Sequence, residues 1–280
     1  MTFNAFVTGW PISHSLSPVL HGYWLAAHAI DGTYRAIAKS PNELDGFLKG
    51  LDSENLVGGN ITIPHKERAL ELCDVVTPQA RAIGAVNTVW LENGQLHGTN
   101  TDAYGFLANL DQMAPGWDAA RSALVLGAGG AARAVVFALL QRGISKMFII
   151  NRSRARAETL AEMNPDCITV HGWESADELA CSADLIVNTT SLGMKGQPTL
   201  EINLEKADRN LLVTDIVYTP LRTPLIARAQ EQSMKTVDGL GMLLHQAVPG
   251  FELWFGTRPE VNQALRDHIL DEIERRRAHS

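Results

Sequence analysis

The sequence predicts an α/β fold organised as two α/β domains followed by C-terminal helices. Strand-like and helix-like patterns alternate along almost all of the 280 residues, which is typical of parallel sheets covered by helices. This length allows one large or two medium-sized domains. Near the middle of the chain, a short apolar run ends in a glycine cluster at residues 127–130. A helical pattern follows at once, so a strand–turn–helix unit is predicted there.

The first half of the chain contains five strand-like segments, most of them separated by helical ones. Strands are predicted at residues 3–9, 33–38, 56–61, 85–91 and 95–98. The last two flank Asn93-Gly94, a strong signal for a tight hairpin. Helices are predicted at 17–29, with Pro18 in the first turn, at 41–51, from Pro64 onward and near 103–111.

The second half repeats this alternation. Strands are predicted at residues 147–150, 167–170, 184–188 and 212–217, with helical segments between most of them. The tail from 239 to 277 is predicted to be mainly helical. A stretch containing Pro and Gly at 113–118 is predicted to connect the two halves, because it directly precedes the strand of the glycine cluster.

Composition narrows the class of protein. Hydrophobic residues make up 45% and charged residues 20% of the chain, as in ordinary globular proteins. A net charge of −7 argues against a general nucleic-acid or anionic-membrane surface. The cysteines Cys73, Cys167 and Cys181 show no CxxC spacing, which predicts a reducing, cytoplasmic compartment without disulfides or a zinc site. The N-terminus lacks the pattern of a signal peptide.

The glycine cluster matches a dinucleotide-binding fingerprint. The apolar strand at 122–126 is followed by Gly127, Gly129 and Ala132. Gly127 would permit the tight turn, Gly129 the close approach of a pyrophosphate, and Ala132 the packing of helix on strand. The phosphates would lie at the helix N-terminus, where free N–H groups and the helix dipole favour anions. A glycine-rich turn before a buried helix would look similar, so this interpretation is a hypothesis.

The residues after the next strand indicate which dinucleotide binds. An NAD site usually has Asp or Glu near this point, whereas here Asn151 is followed by Arg152, Arg154 and Arg156. Guanidinium groups bind phosphate well, so the pattern predicts the 2′-phosphate of NADP. The alternative is a solvated helix start, but cations at a helix N-terminus oppose its dipole.

Polar clusters in the first half are candidates for substrate binding. Ser15 and Ser17 could bind hydroxyls or a carboxylate, although Ser17 could also be an N-cap before Pro18. A second cluster contains Thr62 and Lys66. Lys66 is predicted in the first turn of a helix, where a cation opposes the dipole and where a role in proton transfer would explain it. The alternative is an ordinary exposed surface lysine.

Two further residues, Asn87 and Asp102, are candidates for the same site, whereas the neighbouring His65 is not. His65, beside Lys66, is expected to be solvated. Asn87 starts a strand and could simply satisfy local backbone groups. Asp102 could exchange a proton with Lys66, or Thr101 or Asp102 could be an ordinary N-cap. The repeated His14, His21 and His28 lack the i,i+3 or i,i+4 spacing of helical metal ligands, so no metal site is predicted.

Taken in order, these motifs resemble the shikimate dehydrogenase family across nearly the whole chain. The matching segments are Pro11-Ile-Ser-His-Ser15-Leu-Ser17-Pro18, Asn60-Ile-Thr62-Ile-Pro-His-Lys66-Glu67, Gly84-Ala-Val-Asn87-Thr88, Asn100-Thr-Asp102, Gly127-Ala-Gly129-Gly130-Ala131, Asn151-Arg152-Ser153, Asn188-Thr-Thr190-Ser-Leu-Gly193-Met194, Asp215-Ile-Val-Tyr218, and Asp238-Gly239-Leu-Gly241-Met242-Leu-Leu-His-Gln246. Nine ordered motifs are far more specific than any one of them.

The resemblance implies reversible reduction of 3-dehydroshikimate to shikimate by NADPH, in the biosynthesis of chorismate and aromatic amino acids. It implies Lys66 and Asp102 as the acid/base pair. It assigns the substrate to Ser15, Ser17, Thr62, Lys66, Asn87, Asp102, Tyr218 and Gln246. It assigns the pyrophosphate to Gly127, Ala128, Gly129, Gly130 and Ala131, and the 2′-phosphate to Asn151, Arg152, Ser153 and Arg156. Thr190, Tyr218, Gly239 and Met242 would surround the nicotinamide and its ribose.

The resemblance also implies the domain organisation. Residues 1–103 would form the substrate domain, 104–238 a Rossmann-type NADP-binding domain, and 239–280 helices that return to the substrate domain. The partners would be small molecules, with neither nucleic acid nor membrane, and the chain would be a monomer or a homodimer. The sequence departs from the family pattern at Trp10, where Asn or Asp is frequent, and at Gly22, where Asn is common.

Two alternative functions remain open at this point. The first is a quinate/shikimate dehydrogenase of dual specificity; quinate users in this family often take NAD and have an acidic residue near Asn151. The second is a non-catalytic NADP-binding regulatory module on the same fold, since a fold alone does not give function.

Overall fold

A computed structural model describes residues 3–278 and divides them into two compact units. The first unit runs up to Asp102 and resumes at Leu244, and the second comprises Ala103–Leu243. The stretch at 113–118, predicted to connect the two halves, lies within the second unit. The boundary comes earlier because the helix that precedes this stretch is tied to the second unit: Asn109 Nδ2 donates to Asp238 O at 2.8 Å.

The first unit contains a mixed six-stranded sheet. Its strands are β1 (Phe3–Gly9), β2 (Gly32–Ala38), β3 (Gly58–Ile61), β4 (Val75–Val76), β5 (Thr88–Glu92) and β6 (Gln95–Thr99), in the order β2-β1-β3-β5-β6-β4. β1 is parallel to β2 and β3, whereas β5 is antiparallel to β3 and β6. The predicted hairpin is confirmed, with positive φ at Asn93 and Gly94, as a tight two-residue turn requires.

Helices of the first unit largely follow the sequence pattern. They are α1 (Ser17–Ala27), α2 (Leu44–Lys49), α3 (Lys66–Leu72) and α4 (Pro78–Ile83). α1 ends two residues before the predicted end, and Ala29 has a φ of 52° that a helix cannot continue through. α3 begins at Lys66 rather than at Pro64, because a turn closed by His65 N–H and Thr62 O precedes it. Lys66 is in the first turn, as predicted.

The second unit is a doubly wound parallel sheet. Its strands are β7 (Ser122–Leu126), β8 (Lys146–Ile150), β9 (Ile168–His171), β10 (Leu185–Asn188), β11 (Leu212–Asp215) and β12 (Lys235–Val237), in the order β12-β11-β10-β7-β8-β9. This is the dinucleotide-binding topology, in which the strand order reverses between β7 and β10. Its helices are α5 (Asp102–Met113), α6 (Gly130–Gln141), α7 (Arg154–Ala161), α8 (Ala176–Ala180) and α9 (Pro224–Glu231).

The C-terminal helices α10 (Leu240–Phe255) and α11 (Gln263–Ala278) pack largely within the first unit. Trp254 of α10 donates from Nε1 to Val89 O at 2.9 Å. Trp24 of α1 donates to Glu260 O, in the segment between the two helices, at 3.2 Å. Within residues 3–278 no helix is both long and apolar enough to cross a membrane.

An aromatic cluster around His21 joins α1, β2 and α10. The His21 ring is fully buried and stacks on Tyr34 at 3.9 Å and 14°, with Phe251 nearly parallel at 5.8 Å. Burial lowers the pKa of His21 from 6.5 to about 3, because a charged imidazolium loses its hydration in this apolar stack. The histidine is therefore neutral in the folded protein at ordinary pH.

This neutral histidine predicts a component of acid denaturation. Between pH 6.5 and about 3 the unfolded chain binds a proton at His21 that the folded chain does not bind. The contribution of His21 to the free energy of unfolding should then fall by about 1.4 kcal/mol for each unit that the pH decreases in this window. We expect His21→Phe, which keeps an aromatic ring in the stack, to lose this component. Urea denaturation at several pH values measures it, and equal pH slopes for both proteins would contradict it.

Candidate active site

The candidate acid/base pair lies where two helices of the first half begin. Lys66 is the first residue of α3 and Asp102 the first residue of α5. Lys66 Nζ forms an ion pair with Asp102 Oδ2, and the two side chains are only 14% and 8% exposed. Asp102 also benefits from its place at a helix N-terminus, where the dipole stabilises a carboxylate. The structure therefore brings together the two residues that the sequence paired.

Asn87 fixes the second oxygen of Asp102. Its Nδ2 donates to Asp102 Oδ1 at 2.8 Å, while its Oδ1 accepts from Thr101 N–H at 2.8 Å. Because a backbone N–H can only donate, the amide oxygen must face Thr101 and the amide nitrogen must face Asp102. The carboxylate is thus held between an amide and an ammonium group. Asn87 does more than satisfy local backbone.

Gln246 of α10 adjoins this cluster. Its Oε1 lies 3.5 Å from Asn87 Nδ2, at the long end of hydrogen-bond distance. Both side chains are buried. A residue far along the chain therefore lies beside Asn87, which itself bonds Asp102.

The sequence analysis did not identify two buried polar residues, Asn60 and Tyr34, that support Asn87. Asn60 of β3 accepts from Tyr34 OH at 2.6 Å and donates to Asn87 O at 3.2 Å and to Thr88 Oγ1 at 3.1 Å. Burial raises the pKa of Tyr34 well above its ordinary value, so its hydroxyl stays a donor. A buried asparagine within a short strand is the signal that could have identified Asn60, since buried amides need partners.

Ser15, Ser17 and Thr62 follow the carboxyl ends of neighbouring strands. β1 leads to Ser15 and Ser17, β3 leads to Thr62 and Lys66, and the two strands are parallel. Ser17 is the first residue of α1 and is not its N-cap. Instead, Ser15 Oγ accepts from Ser17 N–H at 3.2 Å. These side chains therefore occur at one edge of the sheet.

The structure bears on two local expectations, that Asp102 could be an N-cap and that His65 is solvated. Asp102 is the first helical residue, and its N–H donates to Asn100 Oδ1 at 3.0 Å, so Asn100 supplies the local side-chain acceptor. The expectation that His65 is solvated is wrong. His65 is 2% exposed, with Nε2 at 2.7 Å from Lys39 O. Its ring turns inward because this carbonyl offers it a buried partner.

The glycine turn of the second unit has the geometry that the fingerprint requires. Gly127 has a φ of 113°, and a Cβ atom there would lie 2.4 Å from Thr189 Oγ1. Gly129 precedes α6, and a Cβ atom there would meet nothing within 4 Å. Ala132, near the start of α6, is fully buried. No side chain caps the N-terminus of α6, so its backbone N–H groups remain available to an anion.

Ala128, Gly130 and Ala131 complete this turn, with Ala128 buried and Gly130 the first residue of α6. The turn follows β7, at the point where the strand order reverses and open α/β sheets bind their ligands.

The segment after β8 carries the predicted phosphate-binding side chains. Asn151 Nδ2 donates to Ser153 O at 2.8 Å and shapes the start of α7. Arg152 and Arg156 are exposed, and neither has a carboxylate partner among residues 3–278. Arg154 differs from them, because its Nε is paired with Glu158 at 2.9 Å. Two of the three predicted arginines are therefore free to bind an anion.

A buried polar network orders the ends of β10 and β11. Asn188 Nδ2 donates to Asp215 Oδ1 at 2.9 Å, and Asn188 Oδ1 accepts from Thr190 Oγ1 at 2.7 Å. Thr223 Oγ1 donates to Asp215 Oδ2 at 2.8 Å. Burial raises the pKa of Asp215, although these hydrogen bonds act in the opposite direction. The sequence analysis named Thr190 but missed Asn188 and Asp215 as the residues that hold it.

Tyr218, Gly239 and Met242 lie beyond the carboxyl ends of β11 and β12. A Cβ atom at Gly239 would come within 2.4 Å of the Ile216 carbonyl, so glycine is needed for this close approach of two backbone segments. Met242 is buried in the first turn of α10. The predicted nicotinamide residues thus follow neighbouring strands of one sheet.

Models of one protein family match most of the chain. The shikimate dehydrogenase substrate binding domain matches residues 7–89, shikimate / quinate 5-dehydrogenase matches residues 111–242, and the shikimate 5'-dehydrogenase C-terminal domain matches residues 239–266. A protein of Brucella melitensis biotype 2 named shikimate dehydrogenase (NADP(+)) is 55% identical over 273 residues, covering 96% of this chain and 94% of that protein.

Solved structures of similar dehydrogenases also match this chain over nearly its whole length. Shikimate 5-dehydrogenase from Thermus thermophilus, in complex with NADP(H) and shikimate, is 36% identical with a TM-score of 0.85, covering 98% of this chain and 99% of that one. Quinate dehydrogenase from Corynebacterium glutamicum, in complex with NAD, is 30% identical with a TM-score of 0.89, covering 96% and 99%. The chain belongs to the shikimate dehydrogenase family.

Proposed function

We propose that this protein catalyses the reversible NADPH-dependent reduction of 3-dehydroshikimate to shikimate, a step of chorismate and aromatic amino-acid biosynthesis. The observation that carries the proposal is the buried Lys66–Asp102 pair, held by Asn87, in a chain 55% identical to a protein named shikimate dehydrogenase (NADP(+)). A regulatory module would need no such acid/base pair. The three free cysteines support a cytoplasmic location.

The chain's own contribution to the reaction is proton transfer and orientation. The nicotinamide cofactor supplies or accepts the hydride. We assign to Lys66 Nζ the proton that reaches the carbonyl oxygen during reduction, and to Asp102 the role of its partner in the acid/base pair. In the reverse direction the same pair takes up the proton of the substrate hydroxyl. Asn87 keeps Asp102 in place while the proton moves.

The substrate is assigned to hydrogen-bonding groups. The proposed contacts to its carboxylate and hydroxyls are Ser15, Ser17, Thr62, Lys66, Asn87, Asp102, Tyr218 and Gln246. Hydroxyl and amide side chains suit this substrate, because each can donate to a carboxylate or bond a hydroxyl. Sites built from such groups discriminate strongly against analogues that lack a matching hydroxyl.

The residues of the second unit fit NADP. Gly127 to Ala131 and the uncapped N-terminus of α6 suit the pyrophosphate. Arg152 and Arg156, with Asn151 and Ser153, suit the 2′-phosphate because the guanidinium groups are exposed and have no carboxylate partner among the described residues. We assign Thr190, Tyr218, Gly239 and Met242 to the nicotinamide and its ribose.

Initial rates of nicotinamide reduction test the proposal most directly. Shikimate and quinate are each supplied with NADP and with NAD. A strong preference for shikimate with NADP supports the proposed reaction. Comparable turnover of quinate, or a preference for NAD, would instead indicate a quinate/shikimate dehydrogenase of dual specificity. Absence of turnover with every pair would overturn the proposal.

Replacing Lys66 should separate chemistry from cofactor binding. We expect Lys66→Ala to lower kcat by about 10²–10⁴-fold, the usual contribution of a positioned general acid, while the Kd of NADP changes little. Lys49→Ala, at an exposed position at the end of α2, is the matched control for loss of a lysine. Turnover near the wild-type value in Lys66→Ala would refute the acid/base assignment.

Replacing Arg152 should reduce the preference for NADPH over NADH. Because Arg152→Ala would remove a charge-assisted contact to the phosphate, we expect the affinity for NADPH to fall by about tenfold to a hundredfold. The affinity for NADH should change little. Lys146→Ala removes an exposed cation from the opposite end of the same strand, β8, and should leave both affinities unchanged. Equal weakening of NADPH and NADH in Arg152→Ala would exclude the 2′-phosphate role.

The two glycines of the turn should respond differently to alanine. Gly129→Ala meets no protein atom within 4 Å, so we expect normal stability but NADP binding weakened by about tenfold or more, since a methyl group would occupy the path of the pyrophosphate. Gly127→Ala would be strained in the protein itself and should cost about 1–3 kcal/mol of stability. Thermal melting with and without NADP distinguishes the two. Unchanged NADP affinity in Gly129→Ala would remove this glycine from the proposed site.

A further inference from the structure

The core-facing stripe of α11 ends in a charged pair. Leu265, Ile269 and Glu272 are the buried residues of this helix, and Arg276 follows at the same helical spacing. The first two are apolar, whereas the third is a carboxylate that is only 8% exposed. A buried charge costs free energy unless it is paired. The buried Glu272 carboxylate therefore needs specific partners that stabilise its charge.

Arg276 connects this carboxylate to the loop between β1 and α1. Its Nε donates to Glu272 Oε1 at 2.6 Å, while its Nη1 donates to His14 O at 3.0 Å and to Ser15 O at 3.3 Å. The planar guanidinium presents donors in a fixed fork. Holding Nε on Glu272 therefore also fixes where Nη1 points.

Glu272 is itself held in place by two cations. Arg275 binds its other oxygen, Oε2, and Arg276 binds Oε1. Burial alone raises the pKa of Glu272, but the two guanidinium groups outweigh it and hold this pKa below the ordinary value. The carboxylate thus remains charged at neutral pH and keeps Arg276 oriented.

Ser15 also forms two hydrogen bonds within the loop itself. Ser15 N–H donates to Ile12 O at 3.0 Å, and Ser15 Oγ accepts from Ser17 N–H. Arg276 supplies the restraint on the carbonyl side of Ser15. Holding the N–H and the carbonyl of a residue fixes its Cα–Cβ direction, and the Ser17 N–H then selects where the Ser15 hydroxyl lies.

We propose that Arg276, held by Glu272, is a positioning residue that fixes Ser15 for substrate binding. The proposal rests on the function proposed above. Arg276 acts through the loop rather than by touching the substrate. Its loss should therefore change the KM of the substrate, while leaving kcat at saturating substrate and the KM of NADP nearly unchanged.

Steady-state kinetics of Arg276→Ala test this. We expect the KM for shikimate to rise by about tenfold, from loss of hydrogen bonds made by a charged group, with kcat and the KM for NADP within about twofold. Arg277→Ala removes the same charge from a neighbouring exposed position and should leave all three parameters unchanged. An unchanged KM for shikimate in Arg276→Ala overturns the proposal, and so does an equal rise in Arg277→Ala, which would indicate net charge alone.

Arg276→Lys keeps the test valid if the alanine variant does not fold. Lysine retains the charge but not the fork, so the KM for shikimate should still rise by several-fold; a wild-type KM would contradict the proposal. Amide hydrogen exchange of the peptide spanning residues 10–17 provides a readout that needs no substrate, and it should be faster in Arg276→Ala. Faster exchange in a protein whose wild type does not turn over shikimate would mean that the proposed function fails while the loop restraint stands. Equal exchange rates would refute the restraint itself.

Discussion

The candidate site of the first unit depends on the orientation of one side-chain amide. Asn87 Oδ1 must accept from the Thr101 N–H, and this requirement turns Nδ2 toward Asp102. If the amide were reversed, two donors would face each other at one end and two oxygens at the other, and both buried groups would lose their partners. The same orientation leaves the other Asp102 oxygen to Lys66. A backbone hydrogen bond thus sets the surroundings of the Lys66–Asp102 ion pair.

In both sheets, the candidate residues lie in loops that leave neighbouring parallel strands at the same edge. In the first unit, β1 and β3 are parallel, so the loops that carry Ser15 and Lys66 leave the sheet at one edge. In the second unit all strands are parallel, and the glycine turn after β7 and Thr190 after β10 leave from neighbouring strands. Buried polar groups then hold each loop: Asn60 supports Asn87, and Asp215 supports Asn188. A parallel sheet brings the residues together, and the polar groups behind them set their directions.

The sequence could predict most of the elements and the proximity of Lys66 to Asp102, because periodicity, turn residues and ordered motifs are local signals. It placed β1 correctly to the residue and identified the Asn93-Gly94 hairpin. It missed the short strands β4 and β12, which are too short for a periodic pattern. It also took His65 to be solvated, because its partner, Lys39 O, is distant in sequence. Asn60, Asp215 and Arg276 were missed as supporting residues for the same reason: their partners are known only once the chain is folded.

The substrate and the 2′-phosphate of the cofactor are assigned to different kinds of side chain, and this difference has a consequence for specificity. Recognition of the substrate is assigned mainly to neutral hydroxyl and amide groups of the first unit, with one internally neutralised ion pair. Recognition of the 2′-phosphate is assigned to arginines of the second unit that have no carboxylate partner among the described residues. Contacts between exposed guanidinium groups and phosphate are weakened by salt, whereas contacts made by buried groups are screened much less. Selection of the cofactor and selection of the substrate therefore rest on different physical interactions, and a change in one need not alter the other.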